Sequence, residues 1–184
     1  MKNSANIHTD GINVYVTSQV RSHPAGKWIV TLFTVLVGCL LLFIFAKIDP
    51  VKHGAAIIPL FLVSFLFYYF IVRYTLWNWF GKEHLIINTK SVSTQLDYGW
   101  YRTNLKTMNF SRLGLSSEII QKTDEQSFGK IYFFNYREED NLPEEIYQTA
   151  ILLPEQQLEE IKDLIWLLFE PVTPTLNQFP YSLN

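Results

Sequence analysis

The stretch RYTLWNWFGKEHLII, Arg73 to Ile87, changes its periodicity partway along. Its first half is rich in Trp and Tyr, whose rings are apolar but carry an N–H or O–H that needs water. Such residues settle at a membrane–water boundary. From Glu83 onward the period is two, the pattern of a half-buried strand. The reading is a helix that leaves a membrane and becomes a strand at its surface. Arg73, Tyr74, Trp77 and Trp79 are the expected membrane-interface residues, with Tyr68 and Tyr69 in the same belt. Arg73 is expected to snorkel toward lipid phosphates. Gly81 is expected to end the helix with a positive φ, and Lys82 and Glu83 to mark the step into water.

Before Arg73 the chain is uncharged from about Ala55 through Val72. Pro59 falls near the start of that run, where a missing N–H costs least. An earlier run, WIVTLFTVLVGCLLLFIFA from Trp28 to Ala46, holds 19 uncharged residues between Lys27 and Lys47. At about 1.5 Å per residue such a helix covers roughly the 30 Å hydrocarbon core of a bilayer. It is not expected to be a cleaved signal peptide, because the segment before it is long and no small-x-small site follows. The connector KIDPVKHG, Lys47 to Gly54, suits a tight turn between antiparallel helices.

Residues 28–80 thus read as a two-helix transmembrane hairpin with both termini on one side. Three Lys/Arg precede the first span, two lie in the connector, and Arg73 and Lys82 follow the second. That distribution favours cytoplasmic termini. Neither run carries an ionisable group, which argues against a transport path through them.

The charge divides along the same line. Residues 1–80 hold six Lys/Arg against two Asp/Glu, and residues 81–184 hold nine against fifteen. A basic anchor joined to an acidic water-facing module is implied. The acidic balance discounts nucleic acid as a partner and the negatively charged inner leaflet as a docking surface for the module. The single cysteine, Cys39, lies in the first apolar run, so no internal disulfide forms and no Cys/His cluster is available for a metal.

After the hairpin, His84–Asn88 reads as a short strand and 91–98 as a half-buried one. A turn follows at Tyr98-Gly99-Trp100-Tyr101. Residues 103–110 are ambiguous. Leu113–Thr123 and KIYFFNY, Lys130–Tyr136, read as strands, the second rich in β-branched and aromatic residues. REEDNLP, Arg137–Pro143, reads as a loop and Gln148–Leu153 as the last strand. Pro154 opens a helix whose Leu158, Ile161, Leu164, Ile165 and Leu168 share one face. Trp166, Leu167 and Phe169 widen its apolar sector. That surplus reads first as core packing, with an open barrel end or a partner as the other uses. At the N-terminus, Ile12, Val14 and Val16 alternate with polar residues, so Gly11–Val20 either adds a strand to the module or is a disordered leader. The tail 171–184 has three prolines and no periodicity.

Short antiparallel strands closed by one C-terminal amphipathic helix follow the order of a pleckstrin-homology (PH)-like barrel. The passage from LWNWFGKE into HLIINTKSVST resembles the small bacterial membrane proteins that carry a two-span hairpin followed by a PH-like domain. The resemblance covers about residues 28–170. It implies an antiparallel barrel over 81–170, a bacterial inner-membrane location, and protein recognition at exposed sheet edges or beside the closing helix.

No nucleophile, P-loop, zinc or dinucleotide motif is present. Glu83 and His84 are adjacent on a strand and point to opposite faces, so they are not read as a catalytic pair. The expected function is non-enzymatic and needs no cofactor: a membrane-anchored module that binds another protein as a scaffold, assembly or regulatory subunit. Trp100, Tyr101 and Trp166 are the expected partner contacts. The alternative is a membrane immunity or defence protein that neutralises a toxin through acidic loops at Asp124-Glu125, Glu138–Asp140 and Glu144-Glu145.

Overall fold

A computed structural model describes residues 5–49, 54–123, 126–137 and 139–170. The connector is described only in part, and the tail 171–184 lies outside the described residues, as do Asp124, Glu125 and Glu138. Two helices are long and apolar enough to cross a membrane. The first, α1 (Pro24–Lys47), opens on Pro24, with the His23 ring accepting the Ala25 amide at 3.2 Å. The second runs from Gly54 to Phe80. It consists of α2 (Gly54–Leu66), a π-helical stretch (Phe67–Val72) and α3 (Arg73–Phe80). Almost none of either helix is buried against the rest of the chain, so neither is the core helix of the module.

The module is built on antiparallel sheets. The first contains β1 (Asn6–Thr9), β2 (Val14–Gln19), β3 (Lys82–Ile87), β4 (Ser91–Asp97) and β5 (Lys106–Asn109), in that spatial order. The second contains β6 (Leu113–Lys122), β7 (Ser127–Tyr136) and β8 (Pro143–Gln148), with the short β9 (Leu153–Pro154) also paired to β7. The sheets do not close into a barrel: β5 and β6 follow one another in the chain but belong to different sheets. Helix α4 (Glu155–Phe169) lies against β2, β6, β7 and β9. The core gathers inward positions of period two, Val14 and Val16, Leu85 and Ile87, Ile131 and Phe133, under Leu158, Ile161 and Ile165 of α4.

The N-terminal segment joins the module. β2 pairs along the length of β3, and an additional strand, β1, folds back on β2 through a turn in which the Asp10 carboxylate accepts the Ile12 and Asn13 amides at 2.9 and 2.6 Å. β1 has a single strongly apolar residue, Ile7, which is why periodicity did not find it.

Three other expectations change. Gly81 ends its helix at φ −51°, not at a positive φ. Glycine is needed there because a Cβ would collide with the Trp77 carbonyl and indole ring. Glu83 is not at the step into water: it is fully buried. The last strand pair is displaced, with β8 starting at Pro143 and residues 149–152 forming the link to β9. The amides of that link are taken elsewhere, Thr149 by the Ile131 carbonyl and Ala150 and Ile151 by Glu83.

Candidate functional site

Because β2 leads into α1 and α3 leads into β3, both helices grow out of one pair of hydrogen-bonded strands. The Val20 amide donates to the Gly81 carbonyl at 2.9 Å, and Ser22 Oγ donates to Asn78 Oδ1 at 2.7 Å. The helices are then pinned together by polar contacts. Trp79 Nε1 donates to Thr31 Oγ1 at 2.7 Å, and the Thr34 and Thr75 hydroxyls meet at 2.7 Å. Trp28 and Trp79 pack edge to face at 5.4 Å, with Lys27 over the Trp79 ring. In an apolar solvent such hydrogen bonds between helices take the place of a hydrophobic driving force.

Below this seam the turn after β4 folds against the second helix. Arg73 donates from Nε and Nη2 to the Tyr98 hydroxyl at 3.0 and 2.8 Å. Tyr98 stacks on Tyr101 at 4.7 Å and packs on Trp77 at 5.1 Å. Gly99 makes this approach possible: its φ is +88°, and a Cβ would come within 2.6 Å of Phe80 Cβ. Of the four residues read as membrane-interface, Arg73 and Trp77 face this turn, Trp79 faces α1, and Tyr74 is exposed.

The three residues read as partner contacts do not form one cluster. Trp100, 83% exposed, and Tyr101 are in the turn beside the second helix. Trp166, half exposed, lies near the end of α4, where with Phe169 it borders a groove of about 490 Å³. The other wall of the groove is Ser111–Leu115 and Tyr136, with the Arg112 guanidinium over the Tyr136 ring at 5.0 Å. Trp166, Leu167 and Phe169 are thus an exposed edge of α4 and not part of its core face.

The residue that sequence reading missed is Glu83. One oxygen accepts the Tyr147 hydroxyl at 2.6 Å and the Ala150 amide at 2.9 Å; the other accepts the Ile151 amide at 3.0 Å. Burial pushes its carboxyl above the ordinary carboxylate range, while the three donors pull the other way. The signal was present in the sequence. Parity places Glu83 on the face of Leu85 and Ile87, and a carboxylate on a core face demands donors.

On the opposite face, His84 Nδ1 meets Thr17 Oγ1 at 3.1 Å, and its buried Nε2, 4.0 Å from Asp97, has no hydrogen-bond partner among the described residues. Burial lowers the His84 imidazole below its ordinary value, with Asp97 opposing. Burial also works against the Asp97 charge, but the Gly99 amide and Arg102 outweigh it and its carboxyl lies below the ordinary range. Among the described residues no three His, Cys, Asp or Glu side chains gather as metal ligands. Compared with family models, curated proteins and solved structures, the chain matches none.

Proposed function

We propose that this chain is a non-enzymatic scaffold, assembly or regulatory subunit of the bacterial inner membrane. Two spans anchor a PH-like module on the cytoplasmic side, where both termini also lie, and the module binds another protein. The observation that carries this reading is the groove between β6 and the end of α4. The outer edge of β6 is unpaired among the described strands, and the groove beside it is flanked by the exposed rings of Trp166 and Phe169. A free strand edge offers main-chain hydrogen bonds to an extended segment, and a half-exposed Trp offers it an anchor. Because the helices continue directly from β2 and β3, the groove stands at a fixed height over the bilayer, which suits a partner that is itself membrane-embedded.

The test is a photo-cross-linking residue at position 166 of the full-length protein in native membranes, with position 90, in the exposed β3–β4 turn, as control. A saturable adduct at 166 that is absent at 90 supports the reading. Equal labelling at both positions refutes it. Membrane residence is tested separately: carbonate-washed vesicles should retain the chain.

A second reading, a membrane immunity or defence protein, is favoured by the outward face of α4. Glu155, Glu159, Glu160 and Asp163 line a shallow hollow there and suit a basic toxin surface. On that reading, deletion sensitises cells only when a neighbouring toxin gene is intact.

A further inference from the structure

We propose that the notch between the second helix and the underside of the first sheet binds one anionic phospholipid, its phosphate on Arg73 and an acyl chain in the hollow. The hollow is a wide-mouthed notch of about 380 Å³ and its lining is nearly all apolar, with Tyr69, Phe70 and Trp77 on the helix side and Leu96 and Ala150 on the module side. That volume lies within the roughly 300–1,000 Å³ of ordinary ligand sites. The inference rests on the membrane reading of the second helix. On that reading the hollow opens to the bilayer, where acyl chains and not water are the available filler.

Arg73 supplies the charge. Among the described residues it has no carboxylate at ion-pair distance, and both of its side-chain hydrogen bonds go to one phenol hydroxyl, that of Tyr98. Its guanidinium therefore keeps its full charge while the Tyr98 and Tyr69 rings, 4.8 and 5.5 Å away, fix its plane. Tyr98 takes the Nε side of that planar fork, and the remaining Nη1–Nη2 edge is the one matched to a phosphate. A phosphodiester also stays ionised in such surroundings, whereas desolvation drives a fatty-acid carboxyl toward its neutral form.

Two further features shape the hollow. The π-helical stretch ends beside it: the Arg73 amide bonds the Tyr68 carbonyl five residues back, a geometry that often marks functional sites. On the far side, the amide of Ala150 is held by Glu83, so the buried carboxylate positions one wall.

The experiment is native mass spectrometry of the full-length protein in detergent micelles, with phosphatidylglycerol or phosphatidylcholine of identical chains. One phosphatidylglycerol should be retained about tenfold better than phosphatidylcholine, the factor that one charge-assisted contact of about 1.4 kcal/mol supplies. R73Q should abolish the preference, and K27Q, which removes a charge near the same helix ends, should leave it unchanged. Tyr98→Phe, which keeps the ring but frees the guanidinium, should reduce it and serves as the second variant if R73Q does not fold.

Equal retention of the two lipids by the wild-type protein overturns the proposal. So does a larger loss in K27Q than in R73Q, or displacement of phosphatidylglycerol by equimolar oleate. Failure of the membrane reading would show instead as release of the chain from carbonate-washed vesicles.

Discussion

Glu83 on β3 and Tyr147 on β8 meet with 2.6 Å between carboxylate and hydroxyl, and this contact ties the first sheet to the second. Among the described residues the two sheets are not joined by a continuous strand ladder. Buried polar contacts and α4 therefore do part of the work that barrel closure would do.

Replacing Glu83 with Ala removes the acceptor for one hydroxyl and two amides at once. Each buried donor left without a partner costs about 1–3 kcal/mol, with water entry recovering part of it. E83A should lose about 3 kcal/mol in denaturant unfolding of the micelle-bound protein, and E83Q, which keeps one acceptor oxygen, should lose less. A loss under about 1 kcal/mol for E83A would show that the 149–152 link is held by something else.

The same residue sets one arm of the pH dependence. With its carboxyl raised by burial, the folded state holds the proton more tightly than the unfolded chain. Stability from this source is full below the unfolded value of 4.5 and declines as pH rises through the folded value. Wild type minus E83Q stability should therefore fall as pH climbs from 4.5. A difference that grows with pH would reverse the assignment.

His84 acts with the opposite sign. Its lowered value means that the unfolded chain takes up a proton first, so stability from this site is present above 6.5 and is lost as pH falls below it. The groups that face it are Thr17, Asp97, Arg102 and Lys82. H84N should flatten that part of a melting-temperature profile between pH 7 and 5, and a slope unchanged by the substitution would locate the titration elsewhere.

Gly99→Ala places a Cβ against Phe80 on a backbone that already has positive φ. The strain expected is about 1–3 kcal/mol. The turn should pull away from the helix, seen as faster hydrogen exchange of the Tyr98 amide, which donates to Tyr101 in the wild type. Normal exchange there would mean that the turn is not held by the helix.

Trp166→Ala should cost about 1 kcal/mol, because only the covered half of the side chain contributes to packing. If Trp166 serves recognition, a cross-linker placed instead at exposed Phe169 should lose its adduct in the W166A background while the chain stays folded. An unfolded W166A would return Trp166 to the core.

Much of this architecture was readable locally. The apolar runs, their length and the change of period after Gly81 give the helices and β3, because helix and strand sort side chains by spacing alone. The inward face of α4 and the strands β4, β6 and β7 were legible for the same reason. Strand β1 was not: Asn6–Thr9 is too polar to signal, and it exists because β2 offers it an edge. The segment 149–152 reads as strand by composition, but its Ala150 and Ile151 amides go to a side chain 67 and 68 residues earlier in the chain, which no local pattern encodes.

The candidate sites divide in the same way. Trp77, Trp79 and Arg73 are visible as an aromatic, basic helix end, but which of them faces α1 and which faces Tyr98 depends on how the hairpin is rotated. Trp100 and Trp166 look equivalent in sequence, yet one is beside the second helix and the other borders the groove between β6 and the end of α4. The sequence by itself determined where the chain is greasy, where it alternates and where it turns, since those follow from solvent preference and spacing. Only the tertiary structure decided that Glu83 would be buried with three donors, that Arg73 would rest on Tyr98, and that the two sheets would stay open. Those outcomes depend on which distant segment arrives to supply a partner or leaves an edge without one.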